Sequence, residues 1–170
     1  MGTMFDTVGD LSETFKGLEV EAVAAYVNGK FANVAAAKAK FPHAHLLEID
    51  VSGQGVGNAG DFEAGDMPYR EAGTWARKRI AHVHRPVVYF QVSSWTSVIE
   101  ALGPLRDQVR LWTAHYTGRP HLCSSACGFG VHGTADATQW GSAQARGTLP
   151  GVYANRNIDV SMTSDTFWAV

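Results

Sequence analysis

Cysteine is scarce in this sequence, long apolar runs are missing, and neither sign of charge is in clear excess. Each shortage removes a class of protein. A membrane-spanning helix needs roughly 18–20 consecutive apolar residues, and no stretch approaches that. A net charge of −2 and a pI of ≈ 6.4 supply no field for nucleic acid or an anionic membrane. The one basic run, Arg77-Lys78-Arg79, reads as the exposed side of a helix. The first residues carry Asp6, Asp10 and Glu13 and no apolar stretch, so no secretory signal is expected. Gly2 is present, but Asp6 stands where a myristoylation motif requires Ser or Thr. The expectation is synthesis in the cytoplasm without a signal peptide. Residues 1–18 are expected to form an arm or partly ordered segment, and residues 19–170 one domain with enough chain to bury a core.

The two cysteines, Cys123 and Cys127, lie in the polar loop His121-Leu-Cys-Ser-Ser-Ala-Cys-Gly. Three states compete: a small local disulfide, two free thiols, or a zinc site completed by His121 and His132. The spacing matches none of the common zinc patterns, so zinc ranks last. A disulfide would imply work outside a reducing compartment. No metal and no cofactor is expected.

Glycine and tryptophan are plentiful, with 18 and 5 copies. They suit sharp turns and a site lined by flat, amphipathic rings. Apolar β-branched segments alternate with helix-like ones. Strands are expected at 22–27, 45–51, 87–92, 109–115, 138–140 and 157–161, and helices at 34–41, 69–80 and from Ser93-Ser94 to about Leu102. Alternating strands and helices indicate a parallel sheet, whose site lies at the carboxyl ends of the strands. Those ends carry Tyr26, Asp50, Glu63, Gln91, His115, Tyr116, Trp140 and Asp159, a set of acids and aromatics suited to a polysaccharide cleft.

The segment Gly60-Asp61-Phe62-Glu63 carries the chemistry. On an extended chain Asp61 and Glu63 project to the same face, with Phe62 turned away and the two Cα atoms roughly 6.5–7 Å apart. Glycoside hydrolysis uses a carboxylate pair on that scale. Crowding two acids on one face also drives their pKa values apart, so that one can hold a proton while the other is charged.

The order of segments resembles family 25 glycoside hydrolases, the Chalaropsis-type lysozymes, and related actinobacterial and phage glycoside hydrolase-like domains. Asp61-Phe62-Glu63 resembles the family's Asp-x-Glu strand, and Pro86-Val-Val-Tyr89 the strand that follows it. Leu111-Trp-Thr-Ala-His-Tyr116 is similar to its Leu-Trp-x-Ala-x-Tyr strand, Thr138-Gln-Trp140 to the penultimate strand, and Ile158-Asp-Val-Ser161 to the closing one. The resemblance implies an α/β fold, a (β/α) barrel that cleaves the glycan strand of peptidoglycan or a related polysaccharide. Glu63 would be its general acid and Asp61 the charged partner. Tyr89, Trp112, Tyr116 and Trp140 would offer ring faces to sugars, with Tyr26, Asp50, Gln91, His115 and Asp159 as further substrate contacts. At 170 residues the barrel is expected to be contracted, since eight full βα units usually take at least about 200. The family's first strand carries an aspartate that faces the site. The first strand expected here, 22–27, leads into Asn28, which leaves Asp50 or Asp159 to replace that acid.

The enzyme would act at the cell wall, or in a virion if phage-encoded. The competing expectation is a barrel kept as a scaffold, either a virion component with homo-oligomer contacts or a wall binder. Other motifs carry less. His43-x-His45 and His82-x-His84 lack completing ligands and read as surface histidines. Ser93-Ser94 is in no nucleophile elbow, and Gly53-Gln-Gly-Val-Gly57 lacks the Lys and Ser/Thr of a phosphate loop.

Overall fold

Strand β5 (Val87–Gln91, Val-Val-Tyr-Phe-Gln) is apolar on both faces because both faces are covered. Val87 and Tyr89 point into the interior of a barrel, while Val88 and Phe90 pack outward against helices. The computed structural model describes residues 1–169 and closes eight strands in sequence order. The others are β1 (Gly2–Asp6), β2 (Ala22–Tyr26), β3 (His45–Asp50), β4 (Ala59–Asp61), β6 (Arg110–Ala114), β7 (Ala137–Ser142) and β8 (Asp159–Thr163). Strands β1 to β7 run parallel. Strand β8 enters antiparallel to both β7 and β1, with Asp159 opposite Asp6 and Val160 opposite Phe5.

All eight strands are therefore present, and the contraction falls on the outer layer. Its helices are short: α1 (Leu11–Thr14), α2 (Val34–Lys40), α3 (Ala72–Ile80) and α4 (Trp95–Leu102). The β3–β4 connection contains no helix, and the β6–β7 and β7–β8 connections contain only single 3-10 turns, Ser125–Cys127 and Gly151–Tyr153. Trp75 of α3 and Trp95, Val98 and Leu102 of α4 bury the outer faces of β4 to β6. Phe15 and Ala37 lie with Phe5, Val23 and Ala25 over β1 and β2. The α3–α4 contact is close enough that only glycine fits at Gly73, where a methyl group would overlap the Ala101 carbonyl oxygen.

Residues 1–18 are not an arm. Met4 is fully buried inside the barrel, and Leu11 and Phe15 are buried under the adjoining helices. Strand β1 must be present because without it β2 and β8 would be left as open edges. Asp10 caps α1, its Oδ1 accepting from the amides of Ser12 at 2.8 Å and Glu13 at 3.0 Å. Among the described residues, no helix is long and apolar enough to cross a membrane.

Candidate active site

Side chains alternate in and out along a strand, and this parity decides which strand-end residues face the barrel mouth. Met4, Ala24, Ala59, Tyr89 and Trp112 point inward, so Asp6, Tyr26, Asp61 and Gln91, each two residues further on in its strand, do as well. They line a cleft of ≈ 710 Å³ at the carboxyl ends of the parallel strands, together with Glu63, Tyr116 and Asp159. Tyr89, Trp112 and Gln139 form its floor, and Phe31, 44% exposed, stands at the rim.

The first two strands are tied together beneath the site. Asn33, at the start of α2, accepts from the Tyr26 amide at 2.8 Å and donates to the Thr7 carbonyl at 3.0 Å, which fixes the ends carrying Asp6 and Tyr26. Strand β4 is brief, and the Phe62 amide continues its ladder by donating to the Tyr89 carbonyl at 2.9 Å. Phe62 turns outward, fully buried edge-on against Trp75, which sends Asp61 and Glu63 together into the cleft. A turn then folds back, the Met67 amide donating to the Asp61 carbonyl at 3.2 Å.

Five carboxyl groups line the cleft, Asp6 from β1, Asp61 from β4, Glu63 and Asp66 from the turn after it, and Asp159 from β8. Burial pushes Asp6 well above the ordinary aspartate range, reinforced by the negative charges of Asp159, Asp61 and Glu63. Burial, then Glu63 and Asp66, raises Asp61 well above its usual value. Asp61 Oδ1 is buried with no hydrogen-bond partner among the described residues. Burial also raises Glu63, opposed first by the hydrogen bond from Gln91, whose Nε2 donates to Glu63 Oε1 at 2.5 Å. Asp159 is raised by burial against hydrogen bonds from Ser142 and the Ala143 amide. The Tyr89 hydroxyl donates to Gln139 Oε1, and Trp112 Nε1 donates to Ser161 Oγ at 3.0 Å, so the floor is held rigid from below. Burial pushes the Tyr116 hydroxyl up to about 12, and it stays protonated as a donor. A cleft of this kind favours the protonated form of its carboxyl groups, which can then donate to a bound ligand.

Three residues expected at the site lie elsewhere. Asp50 follows the inward-facing Ile49 and points outward. Its carboxylate accepts from the amides of Ser52, Gly53, Gly55 and Val56, from Trp75 Nε1 and from Asn28 Nδ2. Burial works against its charge, but the donors led by Asn28 and Trp75 outweigh it and hold its pKa at about 2. Asp50 thus fills the ring of amides in the glycine-rich loop that an anion would otherwise occupy. Trp140 faces outward beside Tyr153, with Phe5 and Ile158 in the same outer layer. His115, next after the inward-facing Ala114, leaves the cleft and lies against His121. Asn28 replaces no acid. It clamps Asp50 to the Val51 amide and Ser52, and the first-strand aspartate is Asp6. Sequence reading missed Asp6 because Thr3-Met-Phe-Asp6 is too short for its alternation to stand out. Phe31 and Gln139 were missed as well, the first on a loop with no periodicity.

No family model matches the sequence, and no curated protein does. Among solved structures, a family GH25 lysozyme from Aspergillus fumigatus matches with a TM-score of 0.53 over 96% of this chain and 95% of that one. The fold is GH25-like. At 16% identity this likeness concerns the path of the chain and not the residues of the cleft.

Proposed function

We propose that the protein is a glycoside hydrolase that cuts the glycan strand of peptidoglycan, with Glu63 as general acid. The observation that carries this reading is the convergence of Asp6, Asp61, Glu63 and Asp159 in one cleft at the carboxyl-terminal mouth of a GH25-like barrel. A general acid must keep its proton near working pH, which burial and neighbouring charges favour at Glu63. The remaining negative charge of the cluster would stabilise an oxocarbenium-like transition state.

Asp61 is the charged partner in this scheme. Its unpaired Oδ1 would accept from an amide N–H of an N-acetylated sugar, and that bond favours the ionised form. Gln91 and Tyr116 hold polar hydrogens beside Glu63, with Gln91 Nε2 3.5 Å from the Tyr116 hydroxyl oxygen. Phe31 offers an exposed ring face at the rim. A polymeric substrate is favoured over a single sugar. Glu63, Gly65 and Asp66 also line a second groove of ≈ 700 Å³ that continues past Tyr69 and Glu100, so a chain could pass from one into the other.

Digestion of purified, borohydride-reduced peptidoglycan followed by mass spectrometry tests the reading. New reducing ends on N-acetylmuramic acid support it. Intact glycan after incubation with protein of verified fold would sink it, and bound but uncut glycan would mark a wall binder.

A further inference from the structure

We infer that His115, His121, Cys123 and Cys127 form a structural zinc site that holds the long β6–β7 connection against the outside of the barrel. One donor atom from each residue lies within 4.8 Å of all the others. His115 Nδ1 is 3.1 Å from His121 Nε2, and Cys123 Sγ is 3.4 Å and 3.7 Å from those two atoms. A tetrahedral zinc with Zn–S of about 2.3 Å and Zn–N of about 2.0–2.1 Å separates its donors by roughly 3.3–3.8 Å. Two of these three separations already stand at that spacing, the imidazole pair is slightly closer, and Cys127 Sγ lies within 4.8 Å of all three donors, placed to supply the fourth corner. A hydrogen bond explains why two imidazoles meet, but not why two thiols converge on the same point.

The surroundings resemble those of metal ligands. His121 Nδ1 lies 2.9 Å from the Arg119 carbonyl oxygen. A carbonyl only accepts, so Nδ1 carries the hydrogen and Nε2 turns its lone pair toward the cluster, the outer contact that orients a ligating imidazole. Two ligands are anchored to β7. The His115 amide donates to the Gln139 carbonyl at 2.9 Å, and the Cys123 amide to Thr138 Oγ1 at 2.8 Å. Cys123 is fully buried, and the Phe129 ring packs edge-on against His115.

The connection also needs such a staple. Residues 115–136 contain one 3-10 turn and an isolated bridge, Ser124–Thr134, where the β4–β5 and β5–β6 connections carry α3 and α4. Loops beyond about 12–15 residues without internal structure are uncommon in compact domains. His132, the ligand suggested by the sequence, points elsewhere, its Nδ1 against the Gly130 carbonyl and its ring against Trp95. With four protein ligands and none of them in the cleft, the metal would take no part in hydrolysis.

Metal analysis of the full chain, purified without chelator, is expected to give one zinc per molecule. Cobalt added to the chelator-stripped, reduced wild type should give the intense visible bands of a tetrahedral site and a thiolate-to-cobalt charge-transfer band. Cys127→Ser should weaken that band, since one of the two thiolates is gone, and His132→Ala should keep it whole, with both variants checked for fold by circular dichroism. Chelator should lower Tm, and zinc should restore it. Reduced wild-type protein that binds neither zinc nor cobalt, or a cobalt spectrum without the charge-transfer band, would overturn the inference. So would a Cys123–Cys127 disulfide, seen as a mass two units low, in protein that after reduction binds no metal. Since the wild-type spectrum does not depend on any variant folding, the inference stays testable even if the substitutions unfold the loop.

Discussion

Gln91 controls the proton on Glu63. Its amide donates to Glu63 Oε1 and stabilises the charged form against a burial that favours the neutral one. Gln91→Leu removes the donor, so the Glu63 pKa moves further up. The alkaline limb of the activity profile should shift to higher pH, measured as kcat/KM against pH. An unshifted limb would show that another group sets it. Asp6 makes the complementary prediction for stability. Its folded pKa lies well above 3.8, so the folded state keeps a proton that the unfolded state releases. That contribution is fully present below the unfolded value and is lost as pH rises toward and through the folded one. Asp6→Asn removes the penalty of charging the buried carboxyl. The variant should melt higher than wild type at neutral pH, with the difference vanishing below about pH 3.8. A variant that melts lower at neutral pH would contradict the burial argument.

Elements were easier to read than the residues at their ends. The segment Val87 to Val92, with apolar residues on both faces, announced a buried strand, and the Ala- and Lys-rich stretch before Pro42 announced α2. The pair Asp61 and Glu63 was legible because i and i+2 share a face whatever the exact strand boundary. Asp50, His115 and Trp140 were misplaced because each sits one position out of phase with the inward row, and a list of strand ends does not preserve parity. A one-residue offset reverses the face, while sequence boundaries are uncertain by more than that. Strand β1 escaped because it is only five residues long, Gly-Thr-Met-Phe-Asp, with Met4 as its one large inward side chain. The helical layer supplies its own test at Gly73. Gly73→Ala should raise intrinsic helix propensity yet destabilise the protein by about 1–3 kcal/mol, because the added methyl meets the Ala101 carbonyl. Chemical denaturation would read this, and a gain in stability would show that α3 and α4 can move apart.

At the scale of the whole molecule, closure is what a short chain has kept. Eight strands remain while helices have been trimmed or dropped, because each strand pairs with two neighbours and the loss of one opens two edges. Removing residues 1–18 should therefore abolish cooperative thermal unfolding rather than trim an appendage, since β1 is clamped between β2 and β8. A truncated chain with a near-wild-type melt would refute that. Closure also brings the acids together. Asp6 and Asp159 are far apart in sequence and face each other only because β8 runs antiparallel onto β1.

The most direct test of the central claim is reducing-sugar release from purified peptidoglycan by the wild type and by Glu63→Gln in parallel, both shown to be folded. The account predicts release by the wild type and a loss of at least about 10²-fold in the variant, the usual worth of a positioned general acid. Equal release by both proteins, or none by the wild type, would contradict it.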